Sequence, residues 1–267
     1  MKKLSVLAIA FAVVALAACG GKKSAEAEVA TDSLKSFEQQ QIEASIKMNL
    51  DSLANTLAQC KHLPFLSSDK DGVNLTKEEK QVKPTYLLAP ATADEATTLA
   101  EKYRTLSALS VDRKIAELYE MPVEDYDKAI SKLAADINDP SFKTIEKANS
   151  IYETTQELYE AMEKNGRINY FWQLASAALV EQLYAINQNS EKFLSVFTDE
   201  SAANATFRVI LILDAVKRLS QYDPDIKPIS DALAPLDVLN ATTVGELKSQ
   251  LKEAEEKIAA ARKALIK

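Results

Sequence analysis

The scarcity of glycine is the feature that most constrains how this chain can fold, because glycine occurs only five times in 267 residues. Gly20 and Gly21 lie close to the amino terminus, so Gly72, Gly166 and Gly245 alone serve the rest of the chain. A sheet protein with many tight turns needs more positions at which the backbone adopts a positive φ. The glycine-rich loops that bind the phosphates of nucleotides are missing as well. Because alanine, leucine, glutamate and lysine are abundant, the sequence predicts an all-α fold.

The apolar residues recur every three or four positions, which is the period of helices that bury one face. This pattern predicts a single bundle of about seven or eight helices. The first helix carries a stripe of apolar residues: Ile42, Ile46, Leu50, Leu53, Leu57 and Cys60. A long helix is expected to start at Thr92, and residues 168–186 are apolar nearly all round, as in a central helix contacted on several sides. From Val244 to Leu265, apolar steps of three and four form a narrow seam suited to packing along one neighbour.

Residues 61–91 interrupt this periodic apolar pattern. They contain three prolines and an Asp-Gly pair, and therefore predict one long irregular loop. Within the loop, Thr76 followed by Glu79 fits a capping box and predicts the start of a short helix. The stretch KPTYLLAP that follows is expected to lie across the bundle as an extended segment. Its tyrosine and two leucines, residues 86–88, should pack toward the helices.

The amino-terminal segment has the layout of a secretory signal peptide. Lys2 and Lys3 give a cationic start, and residues 4–18 follow without a charge. This apolar run is shorter than the roughly 20 residues with which a helix crosses a bilayer, and small residues close it, as they do before a cleavage site. The tetrad LAAC, residues 16–19, resembles the lipobox of bacterial lipoproteins. The resemblance is confined to this segment.

The lipoprotein resemblance implies a lipid anchor at Cys19. In that family the preceding peptide is removed, the cysteine thiol is diacylated and the new amino terminus is often acylated too, so palmitate is an expected modification. Two or three acyl chains hold a protein firmly on a membrane, whereas one chain binds only marginally. The resemblance implies a signal peptide at residues 1–18, a flexible tether at 19–32 and a helical domain at 33–267. Since Gly20 replaces the aspartate that tends to retain enterobacterial lipoproteins in the inner membrane, we expect an outer-membrane protein that faces the periplasm.

The charge balance and the scarcity of catalytic residues exclude several classes of function. Removing residues 1–18 leaves 30 basic against 39 acidic residues and a formal charge of −9. A nucleic-acid partner needs a basic face and is therefore not expected. His62 is the only histidine, and the GxSxG, CxxC and HExxH motifs are absent, so neither an enzymatic activity nor a cofactor is predicted. Cys60 lies on the apolar stripe and is expected to be a buried thiol.

Two short motifs suggest further sites, each with a plainer interpretation. The loop SSDKDGVNLTKE places Asp69, Asp71 and Glu78 at ligand positions of a calcium-binding EF-hand loop. Because serine stands at the first position, where an aspartate is nearly obligatory, a surface turn followed by a helix cap is the preferred interpretation. Ser33 lies in an Asp-Ser-Leu triplet that resembles the O-glycosylation acceptor of some Gram-negative bacteria, and it adjoins the tether.

Some charged and aromatic residues lie within the apolar helical stretches. Asp112 and Asp214 are two of them, and a buried carboxylate needs a partner. Asp214 can reach Lys217 or Arg218 one turn onward, so structural ion pairs are expected. The aromatic residues 170–172 and Tyr184 are expected in the core, and the alternative is that they line a pocket.

These observations favour a lipid-anchored envelope lipoprotein that acts as a non-enzymatic helical scaffold or adaptor and binds another protein. The carboxyl-terminal seam and the proline-rich loops are its expected contact surfaces. The alternative is a periplasmic lipoprotein that binds a small ligand or glycan for a transporter, with residues 61–91 as a lid. An internal cavity would favour the alternative, and a solid core would remove it.

Overall fold

The structure, a computed structural model, describes residues 44–60, 63–66, 72–142 and 155–266. The described residues form eleven α-helices and contain no strand, which confirms the all-α prediction. The helices are α1 (44–59), α2 (Lys77–Gln81), α3 (Leu99–Leu118), α4 (Glu124–Ile137), α5 (Thr155–Lys164), α6 (Ile168–Gln188), α7 (Ser190–Phe193), α8 (Asp199–Leu219), α9 (Lys227–Leu233), α10 (Val244–Glu253) and α11 (Glu255–Leu265). Ile46–Lys267 forms one compact unit.

Helix α6 is the centre of this bundle. It packs against α3, α5, α8, α10 and α11, so it buries side chains on most of its circumference. Trp172 and Ile186, close to its two ends, are fully buried. The sequence prediction of a central helix is confirmed, and its physical basis is the lack of a polar face on which water could lie. In the part of the chain that the structure describes, no helix combines the length and the hydropathy that crossing a bilayer requires.

The helix count exceeds the predicted seven or eight because short helices and one break add to it. Helices α2, α7 and α9 have five, four and seven residues. The apolar seam from Val244 to Leu265 was expected to lie on one helix, but the chain breaks at Ala254 into α10 and α11. The seam itself is buried inside the bundle, at Leu247, Leu251, Ala254, Ile258, Ala261 and Leu265.

The start of α3 differs from the expectation at Thr92. Pro90–Asp94 forms a short 3-10 helix, and the α-helix begins seven residues after Thr92, at Leu99. Thr98 accepts a hydrogen bond from the Glu101 N–H (3.2 Å), and the Glu101 carboxylate accepts one from the Thr98 N–H (2.9 Å). This reciprocal capping box satisfies two amide groups at the helix end, which explains why the helix begins here.

The described parts of the predicted loop, residues 63–66 and 72–91, are mostly irregular. Helix α2 begins after Thr76 with the predicted capping box, in which Thr76 and Glu79 exchange hydrogen bonds. Residues 82–89 then form no helix, and their side chains at positions 86–88 pack partly buried against the core, as predicted. We call residues 82–89 the crossing segment, and it covers a buried cluster of charged side chains.

Candidate functional site

Three charged side chains from three helices meet beneath the crossing segment. Asp112 on α3 and Glu181 on α6 are both fully buried, and Arg262 comes from α11 with 15% of its side chain exposed. Arg262 Nε and Nη2 donate hydrogen bonds to both carboxylate oxygens of Glu181 at 2.7–3.0 Å. The distance from Arg262 Nη2 to Asp112 Oδ2 is 3.8 Å. The cluster therefore joins α3, α6 and α11 at one buried point.

The same cluster holds the backbone of the crossing segment. The Arg262 Nη2 group donates a hydrogen bond to the Tyr86 carbonyl oxygen at 3.0 Å, and the Leu88 N–H donates one to Asp112 Oδ2 at 2.7 Å. The guanidinium carbon also lies 4.2 Å from the ring centre of Tyr184, a distance typical of a cation–π contact. The segment is thus attached to the bundle through buried charges, and not through apolar contacts alone.

The charge balance of this cluster favours a proton on Asp112. Burial, together with the nearby charge of Glu181, raises the pKa of the Asp112 carboxyl well above its ordinary value. Two ionised carboxylates beside one arginine would leave a net negative charge in a low-dielectric interior, which is costly. With Asp112 protonated, the arginine and Glu181 form a neutral pair. The arrangement is largely closed to solvent and is suited to holding structure together.

A cavity of about 50 Å³ lies between helices α1, α3, α5, α6 and α8. Its walls are mostly apolar and are formed by Leu57, Leu158, Phe171, Leu174, Ala175, Ala178, Leu179 and Ile212. Ser107, Thr155, Gln182 and Arg208 supply the polar part of the lining. The core of the described bundle is therefore not solid, so the alternative of a small-ligand function stays open.

The polar residues of the cavity differ in how they are bonded. The Ser107 hydroxyl donates a hydrogen bond to the Leu174 carbonyl oxygen at 2.8 Å, and Arg208 Nη2 donates one to the Cys60 carbonyl oxygen at 3.4 Å. Gln182 is only 2% exposed, and within the described residues its side-chain amide makes no hydrogen bond. It is thus a buried polar group that faces a cavity with its hydrogen-bonding capacity unused.

An apolar patch lies on the outer side of α8, and we call it the α8 patch: Ala203, Phe207, Ile210 and Leu213. Phe207 is 43% exposed and Ile210 47%. The two are three positions apart, so they are neighbours on the same helix face. Ala203 and Leu213 are half-exposed and extend the patch by one turn in each direction.

Comparisons with protein-family models, with curated proteins and with solved structures find no match for this chain. The charged cluster, the cavity and the α8 patch are accordingly interpreted from their own geometry.

The structure bears on only part of the sites predicted from the sequence. Cys19, Ser33, Asp69 and Asp71 lie outside the described residues, so the lipid, glycan and calcium sites stay predictions. Glu78 is exposed in the first turn of α2. Among the described residues, no group of three or more His, Cys, Asp or Glu side chains is placed to hold a metal ion.

Two predictions about individual polar residues can be compared with the structure. Cys60 is a buried free thiol, as predicted, and burial raises its pKa. Asp214 pairs with Arg218 one turn onward at 2.9 Å, as expected, although both side chains are about 40% exposed. Asp112 takes its partner from the distant Arg262, and its chain neighbour Arg113 pairs with Asp127 at 2.5 Å.

One predicted contact surface is wrong, and the central residues of two features were missed. The carboxyl-terminal seam is buried against α6 and α9 of the same domain, so it is not a surface for another protein. The roles of Arg262 and Gln182 were missed. The only sequence signal was that Glu181 and Gln182 interrupt an apolar run, which shows that a polar group is buried but not what it faces.

Proposed function

We propose that this chain is a lipid-anchored envelope lipoprotein, held through Cys19, that acts as a non-enzymatic helical adaptor for a protein partner. The observation that carries the adaptor role is the α8 patch. Single exposed apolar residues are common on soluble domains, but a large aromatic and a large aliphatic side chain side by side form the kind of anchor that protein interfaces bury. The outer-membrane position facing the periplasm is part of the same proposal.

The chemistry of the partner follows from the patch and from the charge of the chain. A matching surface needs an apolar cleft that receives Phe207 and Ile210. The net charge of the chain is −7, or −9 without residues 1–18. A partner with basic residues around its cleft would be attracted to this chain, and an acidic one repelled. We therefore propose that the α8 patch binds an envelope protein whose apolar cleft is surrounded by basic residues.

The non-enzymatic part of the proposal is supported by the arrangement of the titratable groups. The buried cluster of charges around Arg262 is largely closed to solvent and bonded internally. A catalytic acid or base must come within hydrogen-bond reach of a substrate. The two buried carboxyl groups offer no such access, so the cluster supports a structural role.

Photo-crosslinking in cells tests the adaptor role. A benzophenone side chain replaces Ile210 in one variant and Lys257, an exposed residue of α11, in the control. We expect one discrete adduct with another envelope protein from position 210 only, and Phe207→Ser should reduce it at least threefold. Equal labelling from both positions, or none from position 210, would contradict the proposal.

Membrane fractionation tests the anchor separately. Cys19→Ser removes the thiol that would be diacylated. We expect this variant to lose incorporation of an alkyne-tagged fatty acid and to leave the membrane fraction, whereas Cys60→Ser, at the buried thiol, should do neither. A Cys19→Ser variant that stays acylated would contradict the anchor.

The cavity favours a second candidate function, the binding of a small ligand. A cavity of about 150 Å³ accommodates benzene, so one of about 50 Å³ is too small for a sugar ring unless its walls move. The geometry therefore supports a ligand smaller than a glycan.

A further inference from the structure

We propose that the cavity beside α6 binds a small neutral molecule with one hydroxyl or amide group and a short alkyl part, and that the Gln182 amide is its polar anchor. This inference rests on the second candidate function and is independent of the adaptor role.

The buried side-chain amide of Gln182 has unused hydrogen-bonding capacity. Its amide can donate two hydrogen bonds and accept two, and it makes none within the described residues although only 2% of the residue is exposed. Leaving a buried amide unbonded costs about 1–3 kcal/mol. The neighbouring core positions on α6 include Leu179 and Leu183, so an apolar side chain would suit this environment better. A ligand atom in the cavity that forms a hydrogen bond with this amide accounts for the presence of glutamine at position 182.

The lining of the cavity is elongated along α6. On α6 the lining residues extend from Phe171 to Gln182, which is three turns, or about 16 Å along the helix axis. Gln182 lies at one end of this row. Phe171 lies at the other, where Leu158 of α5 also lines the cavity. A ligand bonded to the Gln182 amide therefore has its polar group at this end and its alkyl part along the apolar lining residues of α6.

The volume of the cavity and the chemistry of its lining limit the size and charge of the ligand. A cavity of about 50 Å³ holds about three water molecules, and so about three or four non-hydrogen atoms. The described lining contains no carboxylate, and a buried ammonium group without such a partner is costly, so an amine is disfavoured. A neutral group is less costly to bury than a carboxylate. The Ser107 hydroxyl donates its hydrogen to the Leu174 carbonyl oxygen, and its oxygen can still accept a hydrogen bond from a ligand hydroxyl or amide N–H.

Methyl NMR of the full chain tests the proposal with two probes, 1-propanol and xenon. Xenon reports an open apolar cavity, and 1-propanol adds a hydroxyl group. We expect both to shift the methyl signals of Leu158, Leu179 and Ile212 in a saturable way. The methyl signals of Leu133, buried in α4 and away from the cavity lining, should not move.

Three variants separate the possible outcomes. Gln182→Met keeps the length of the side chain and removes the amide, so it should keep xenon binding and weaken 1-propanol about tenfold; Gln182→Leu is the second variant if methionine perturbs the fold. Ala175→Leu fills the cavity from its half-exposed edge and should abolish both signals. The dispersion of the remaining methyl signals reports folding in each case.

Two results would overturn the inference, and they are distinguishable. If 1-propanol binds to Gln182→Met as tightly as to the unchanged chain, the amide is not the anchor and the ligand class is wrong, while ligand binding survives. If neither probe shifts the lining methyl signals of the unchanged chain, the cavity holds water only. The second candidate function then fails as well.

Discussion

Replacing Arg262 by methionine is the most direct test of the buried cluster, because this one guanidinium donates three hydrogen bonds to Glu181 and one to the backbone of the crossing segment. Removing one partner of a buried ion pair costs about 3–5 kcal/mol, since the other charge stays buried and uncompensated. The lost bond to the Tyr86 carbonyl adds about 1 kcal/mol. Relaxation of the surrounding side chains offsets part of this, so we expect a loss of about 3–4 kcal/mol in the free energy of unfolding at neutral pH.

Urea unfolding followed by fluorescence measures this loss. Trp172 is the only tryptophan and is fully buried, so its emission reports the opening of the core around α6. With a urea dependence of about 2–3 kcal/mol/M, the midpoint should fall by about 1–2 M. Adding Glu181→Gln to Arg262→Met should restore much of the loss, because the double variant no longer buries an unpaired carboxylate.

The matched control is Arg113→Met, which removes an arginine from a partly exposed pair. The partners of Arg113 are Asp127 and Glu117, whose side chains are 51% and 64% exposed. Such pairs contribute about 0–1 kcal/mol, so the midpoint should hardly move. The reasoning would be refuted if Arg262→Met cost no more than Arg113→Met, or if Glu181→Gln made the double variant less stable still.

Two further predictions concern backbone conformation and pH. Gly166 has φ +67°, whereas Gly245 lies inside α10, and a Cβ added at either position would meet nothing within 4 Å. Gly166→Ala should therefore lose about 1 kcal/mol through backbone strain alone, and Gly245→Ala should gain about 0.5–1 kcal/mol, as measured by the same urea titration. This prediction is wrong if both substitutions change the free energy of unfolding in the same direction. The raised pKa of Asp112 means that the folded chain binds more protons than the unfolded one, so stability should fall as pH rises from about 4 toward the folded-state pKa. Asp112→Asn should flatten this slope in urea titrations between about pH 4 and 8, and an unchanged slope would show that Asp112 is not its source.

The parts of the fold that were predicted correctly depend on residues close together in sequence. The apolar run at residues 168–186 predicted the central helix α6, and the pair Thr76 and Glu79 predicted the cap of α2. Cys60 was placed in the core because it continues an apolar stripe one turn after Leu57. In each case the relevant interactions join residues within about one helical turn, so the local sequence contains the information.

The incorrect predictions concern features that the local sequence leaves undecided. The expected helix start at Thr92 failed because a competing capping box at Thr98 lies a few residues later, and both starts satisfy the same local rules. The expected unbroken seam failed at Ala254, where α10 and α11 both pack against α6. Alanine is a good helix former, so nothing local announces a break there. The break at Ala254 is decided by the requirement that α10 and α11 both pack against the same core.

The sequence by itself determined that this chain is helical and which side chains face inward, because helical hydrogen bonds and apolar periodicity operate over three or four residues. Only the tertiary structure decided that Arg262 meets Glu181, 81 residues away, and that the Gln182 amide faces a cavity. An arginine is usually exposed, and its burial depends on which carboxylates three separately folded helices bring to one point. That arrangement follows from how α3, α6 and α11 pack, and no local pattern encodes it.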